Sequence, residues 1–148
     1  MDAIRPWLYV GKYRETLDAD LLAAKKIDAM LLMAEDVSHP GITSIYLPVE
    51  DGVPLPDHLL RRGLDFVLSA KQRGQTVLIA CGAGMSRSVA YAVAALKETE
   101  DLSLLQAIKT VKKHHPESLL HPALWESLCT YYDEEIPALS MLRALRDS

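Results

Sequence analysis

Thr76-Val77-Leu78-Ile79-Ala80-Cys81-Gly82-Ala83-Gly84-Met85-Ser86-Arg87-Ser88 is the stretch around which the chain is organised. Gly74-Gln75 before it is a turn signal, and residues 77–80 form a short apolar run, which predicts a buried strand. Two glycines then open a loop. After Ser86 the pattern becomes helical, with Val89, Ala90, Val93, Ala94 and Leu96 on a broad apolar surface. A cysteine therefore ends a strand, and an arginine six positions later begins a helix.

Successive backbone N–H groups in such a loop can form an anion-binding cup. The first helical turn adds unpaired N–H groups and the positive end of its dipole. Gly82 and Gly84 let the backbone turn without a side chain in the way. Arg87 can hold two phosphate oxygens with its planar fork. The backbone of Gly82, Ala83, Gly84, Met85, Ser86 and Arg87 is thus the candidate phosphate cradle, with Cys81 at its base. A field that holds a dianion also favours thiolate over thiol, which makes Cys81 a candidate nucleophile.

Outward from this loop, the chain alternates strands and helices. Residues 4–11 read as a strand or hairpin, and Trp7 and Tyr9 as packing residues. Thr16 or Asp18 could cap a short helix through Leu21-Leu22-Ala23-Ala24. Ala29-Met30-Leu31-Leu32-Met33 reads as a buried parallel strand, and residues 44–49 as another. Glu50-Asp51-Gly52-Val53-Pro54 is a loop of turn formers. Asp57 stands before a long helix as its candidate cap, with Leu59, Gly63, Phe66, Val67 and Ala70 at helical spacing. Ser103 and Gln106 match a capping box. Lys112-Lys113-His114-His115 falls at the end of that helix, where positive charge suits the dipole, and reads as solvated and capping. A metal site from His114, His115 and His121 lacks acidic or cysteine company. Pro122 opens a further helix containing Cys129, read as a structural thiol. Pro137 opens the last, with an apolar stripe of Leu139, Leu142 and Leu145. The pattern predicts an α/β fold: a central, mostly parallel sheet with helices on both faces and the phosphate loop between a strand and a helix. Sites in such sheets form at the C-terminal ends of strands, where Cys81 and Asp51 both lie.

At 148 residues the chain fits one domain, residues 1–148. A formal net charge of −4 argues against nucleic acid or an anionic membrane as an electrostatically captured partner. Two cysteines give no disulfide framework and suit a reducing cytoplasm.

Cys81-Gly82-Ala83-Gly84-Met85-Ser86-Arg87-Ser88 resembles the C-x-x-G-x-x-R-S/T loop of the cysteine-based protein tyrosine phosphatases, and the wider chain resembles their compact dual-specificity branch. The opening at residues 4–11 is similar to the branch's "I-x-P-x-L-Y-x-G" segment. Leu102-Ser103-Leu104 with Gln106-Ala107-Ile108 is similar to its "L-S-x-x-E-A" segment. Residues 136–148 lie outside the resemblance; their helix is expected to dock on the body, with pairing to a second copy of an otherwise monomeric protein as the alternative.

The resemblance implies hydrolysis of phosphotyrosine and phosphoserine/threonine esters through a cysteinyl-phosphate, with no cofactor or metal. It implies a general acid about thirty residues before the cysteine. Asp51 fits, with Asp57 and Glu50 as competitors. It implies that the Ser88 hydroxyl donates to the departing thiolate. The family usually carries histidine directly before the cysteine, associated with orienting the loop and favouring the thiolate; this chain has Ala80, which puts efficiency and pH optimum in question. Uncharged Gly82, Ala83, Met85 and Ser86 favour a phosphoprotein or peptide over inositol lipids or other polyanions. Two other classes stay open: a phosphate-binding pseudophosphatase, and another thiol enzyme such as a sulfurtransferase or arsenate reductase.

Overall fold

The computed structural model describes residues 1–147. Five strands form one sheet: β1 (Asp2–Arg5), β2 (Leu8–Lys12), β3 (Ala29–Leu32), β4 (Thr43–Tyr46) and β5 (Val77–Cys81), in the spatial order β1-β2-β5-β3-β4. β1 runs antiparallel to β2, and every other pairing is parallel. The opening segment is thus a hairpin. β5 is central and wholly buried, because its apolar residues face protein on both sides. The strand's twofold alternation sends Val77, Ile79 and Cys81 to one face and Leu78 and Ala80 to the other.

Helices cover both faces, unequally. The short α1 (Ala19–Ala24) contributes Leu22 to the smaller core, with Ile27, Met30, Leu32, Leu78 and Ala80. Asp18 caps it through the Leu21 N–H, whereas Thr16 is buried within a preceding 3-10 turn (Tyr13–Leu17). The larger core is covered by α2 (Asp57–Gln72), α3 (Arg87–Glu100), α4 (Leu104–His114), α5 (Pro122–Tyr132) and α6 (Ala138–Arg146). Among the described residues, no helix is long and apolar enough to cross a membrane.

Helix α3, which presents Arg87 to the loop, is buried along most of its length. It packs against α2 at Gly63, where an added Cβ would stand 2.4 Å from the Tyr91 ring. Tyr91 spans the same junction by donating to the Leu59 carbonyl at 2.9 Å. The absence of a side chain at Gly63 therefore sets how closely α3 approaches α2.

Three local expectations need correction. Asp57 is the first residue of α2 rather than its cap; Pro56 holds the cap position, and no side-chain cap bond forms. In the stripe of α6, Leu145 is buried and Leu142 packs on the core as expected, but Leu139 is exposed and Met141 and Ala144 complete the inner face against α4 and α5. His115 is buried, not solvated.

Candidate active site

Cys81 ends β5 with only 2% of its surface exposed. Its neighbours across the sheet end are Lys12 of β2 and, through Ala80, Leu32 of β3. The loop from Gly82 to Ser86 then climbs to α3, whose first residue is Arg87. Gly84 sits at φ +69, in the left-handed region, and a Cβ there would stand 2.8 Å from the Gly11 carbonyl oxygen. Both facts demand glycine. Gly82 is different: its φ is not positive, and a Cβ would meet the Arg87 guanidinium at 3.0 Å. Its value is clearance for the arginine rather than conformational freedom.

The sulfur of Cys81 has Ser88 for company. The Ser88 backbone N–H donates to Sγ at 3.4 Å, and the Cys81 thiol donates to the Ser88 hydroxyl at 3.2 Å, a bond that can reverse when the sulfur is a thiolate. Hydrogen bonds donated to a sulfur anion stabilise it, so this pairing suits both a nucleophilic and a departing thiolate. The Arg87 guanidinium donates to the Val49 carbonyl at 2.9 Å and to the Met33 carbonyl at 3.5 Å. Those carbonyls belong to the segments that follow β3 and β4, so one side chain holds two neighbouring loops against the cysteine loop.

One of those segments carries Asp51. Its Oδ1 accepts a 2.8 Å hydrogen bond from the Ser86 hydroxyl. That same hydroxyl accepts from the His121 N–H at 3.0 Å. Of Glu50, Asp51 and Asp57, Asp51 is the one bonded to the cysteine loop among the described residues. The link was not legible in the chain, because Ser86 and Asp51 are 35 residues apart. Ser86 had counted only as an uncharged cradle residue.

The outer side of the loop is held by groups that sequence reasoning missed. The Tyr13 N–H donates to the Gly82 carbonyl at 3.3 Å, and the Leu119 N–H to the Met85 carbonyl at 2.8 Å. His115 faces the Gly84 carbonyl through Nε2 at 2.5 Å and the Asp2 carboxylate through Nδ1 at 2.6 Å. Tyr13 also meets the Glu35 carboxylate, and that bond pushes its phenol above the ordinary value. Ala80 packs in the smaller core, so no side chain from position 80 reaches a polar partner.

Comparisons with known proteins agree with this geometry. The profile of the dual specificity phosphatase catalytic domain matches residues 8–134. The chain is 32% identical over 126 residues to dual specificity protein phosphatase 12 of Rattus norvegicus, covering 80% of this chain and 37% of that protein. It is 29% identical over 119 residues to dual specificity protein phosphatase 22 of Homo sapiens, covering 76% and 62%. It therefore spans less than two thirds of the length of these relatives. Among solved structures, human DUSP28 superposes with a TM-score of 0.82 at 25% identity, over 90% of this chain and 96% of that one. The human tyrosine phosphatase-like serine/threonine/tyrosine-interacting protein shares the fold, with a TM-score of 0.83 at 20% identity over 90% and 95%. A domain match across most of the chain, on a fold that brings a cysteine, an arginine and an aspartate to one strand end, places this chain in the dual specificity phosphatase family.

Proposed function

We propose that this chain hydrolyses phosphate monoesters on phosphorylated proteins, at both tyrosine and serine/threonine, through a covalent intermediate on Cys81. The observation that carries the reading is the Ser86–Asp51 hydrogen bond. It brings a carboxylate from another loop onto the loop that holds the nucleophile.

In the first step the Cys81 thiolate attacks phosphorus, the S–P bond forms and the P–O bond to the leaving group breaks. Protonated Asp51 gives its proton to the departing oxygen. Loop N–H groups and Arg87 stabilise the charge on the transferring phosphoryl oxygens. In the second step water attacks phosphorus, Asp51 accepts a proton from it, and the S–P bond breaks. The Ser88 hydroxyl donates to the sulfur as the thiolate re-forms. Inorganic phosphate leaves, and the protonated acid is restored for the next cycle.

The residues beside the cysteine, Gly82 and Ala83, are exposed and small, and Met85 is uncharged. A mouth of this kind supports substrates with a single phosphate on short or long side chains. Glu35, Asp36 and Glu50 are exposed on the segments after β3 and β4. They would disfavour a polyanionic ligand.

Hydrolysis of para-nitrophenyl phosphate, a phosphotyrosyl peptide and a phosphothreonyl peptide by the wild type and Cys81→Ser tests the proposal. Turnover of all three by the wild type and of none by the variant is expected. A protein that binds phosphate but turns over none of them would be a recognition module instead. Loss of activity on chelation would count against the metal-free chemistry.

A further inference from the structure

We infer that His115, anchored by Asp2, is a positioning residue that aims the phosphate-binding N–H groups of the Cys81 loop, and that it does so in a protonation-dependent way. The inference rests on the reading of residues 82–87 as a phosphate cradle.

The argument begins with the peptide plane. In a trans peptide the carbonyl of one residue and the N–H of the next point in opposite directions. Holding a carbonyl on the outside of a loop therefore turns the following N–H toward its inside. Three carbonyls of this loop are held from outside. The Gly82 carbonyl accepts from the Tyr13 N–H, which turns the Ala83 N–H inward. The Gly84 carbonyl faces His115, which turns the Met85 N–H inward. The Met85 carbonyl accepts from the Leu119 N–H, which turns the Ser86 N–H inward. No peptide bond in the described chain is cis, so the rule applies to each.

Two of these three holds are backbone N–H groups, which no substitution other than proline removes. The third is a side chain, and it acts at the hinge of the loop. Gly84 is the loop residue with positive φ, so the side-chain hold acts on the plane that follows the turn.

Both ring nitrogens of His115 face oxygen acceptors: the Asp2 carboxylate at Nδ1 and the Gly84 carbonyl at Nε2. Only the imidazolium can donate to both. In the neutral ring one nitrogen presents a lone pair to an oxygen. A carboxylate is the stronger acceptor, so the remaining proton favours Nδ1 and the loop-facing Nε2 gives up its donor. The neutral ring would thus hold the Gly84 carbonyl less firmly than the imidazolium does. Beside His115 and Gly84 lies a cleft of about 190 Å3, whose other charged groups are Lys12, Arg14, Glu15 and Glu117, with the Met1 ammonium on Glu15. Lys12 lies 3.9 Å from Glu117, so these charges are partly paired among themselves. Asp2 is the group in direct contact with the ring.

The test uses tungstate binding by calorimetry in a Cys81→Ser background, which reads the cradle without turnover. It compares no further change, His115→Ala, and His115→Gln, whose amide N–H can still donate. At slightly acid pH, His115→Ala should bind tungstate about tenfold more weakly, the worth of a mis-aimed hydrogen bond to a charged group. His115→Gln should recover most of that loss. As pH rises, the advantage of His115 over Gln at the same pH should shrink; the ratio cancels changes in the anion itself. Melting curves run alongside. If His115→Ala is unfolded, the pH-dependent ratio between His115 and Gln carries the decision alone. Equal tungstate affinity in all three folded proteins, or a pH-independent ratio of His115 to Gln, overturns the role of His115 while leaving the phosphatase proposal intact. If the Cys81→Ser protein with His115 binds no tungstate at any pH, the cradle reading itself fails, and this inference with it.

Discussion

Cys81 ends the central strand beneath the first turn of α3, with an N–H and a hydroxyl of Ser88 at its sulfur. Cys129 lies in the last turn of α5, and its S–H faces the Ile136 carbonyl at 3.6 Å. Burial pushes the Cys129 thiol above its ordinary value, and the charges of Glu134 and Glu126 add to the effect. Its neighbourhood also contains a cavity of about 610 Å3, lined by Glu126, Cys129, Asp133, Glu134 and Glu135. A thiol is therefore present at both places. What differs is the sign of the groups that face the sulfur. Donors and a helix N-terminus surround one, while carboxylates and a carbonyl surround the other. An anionic substrate and an anionic nucleophile can share only the first environment.

Substituting both cysteines gives the sharpest contrast. Cys81→Ser should bring phosphate-ester hydrolysis to near background, because the variant lacks the thiolate proposed to carry the phosphoryl group. Cys129→Ser should leave kcat/KM within about twofold, since it touches none of the reacting atoms. Equal losses in the two variants would erase the distinction drawn here.

The acid is the next most sensitive point. Asp51→Asn should lower kcat by roughly 10²–10⁴, the usual worth of a positioned proton donor. The loss should shrink with leaving groups that need little protonation. Asp57→Asn, on the first turn of α2 and away from the loop's bonds, serves as the control and should behave like the wild type. The reverse result would move the acid to Asp57.

Ser86 joins the two halves of the site, since its hydroxyl bonds both Asp51 and the start of α5. Ser86→Ala should cost about tenfold in kcat/KM through a loosened Asp51 loop. If instead only the melting temperature falls, the hydroxyl serves α5 and not the acid.

The smallest difference concerns alkylation. A raised thiol value means less thiolate at any given pH, so Cys129 should react slowly with iodoacetamide near neutrality. Its rate should climb as pH passes above the ordinary thiol range. Cys81 should react first, and inorganic phosphate should protect Cys81 but not Cys129. Cys129 reacting first at neutral pH would contradict the comparison.

Much of this site was legible along the chain. Residues 77–88 carry the strand, the loop and the helix start together, so the placement of Cys81, Arg87 and Ser88 around one loop could be read locally. Asp51 was a candidate from a loop at a strand end and a family spacing, and the structure adds its bond to Ser86. The mostly parallel sheet also follows from apolar runs of the right length, but the strand order β1-β2-β5-β3-β4 and the choice of a hairpin at the N-terminus do not. What could not be read depends on contacts between distant residues. His115 sits in Lys-Lys-His-His, a pattern that suits a solvated helix end, and its partners Gly84 and Asp2 are 31 and 113 residues away. Nothing in its neighbours announces that it is buried. The stripe of α6 was read in part: Leu145 is buried and Leu142 packs on the core, whereas Leu139 is exposed and Met141 and Ala144 fill the inner face instead. The role given to Gly82 failed similarly: two glycines in one loop look alike until their φ angles are known.

The most direct measurement is a rapid denaturing quench during turnover of para-nitrophenyl phosphate, followed by mass analysis of the two cysteine-bearing peptides. One phosphoryl group on the peptide containing Cys81, and none on that containing Cys129, is the predicted result. Steady hydrolysis with the Cys81 peptide unmodified under conditions that trap the intermediate, or with the phosphoryl group on Cys129, would contradict the account.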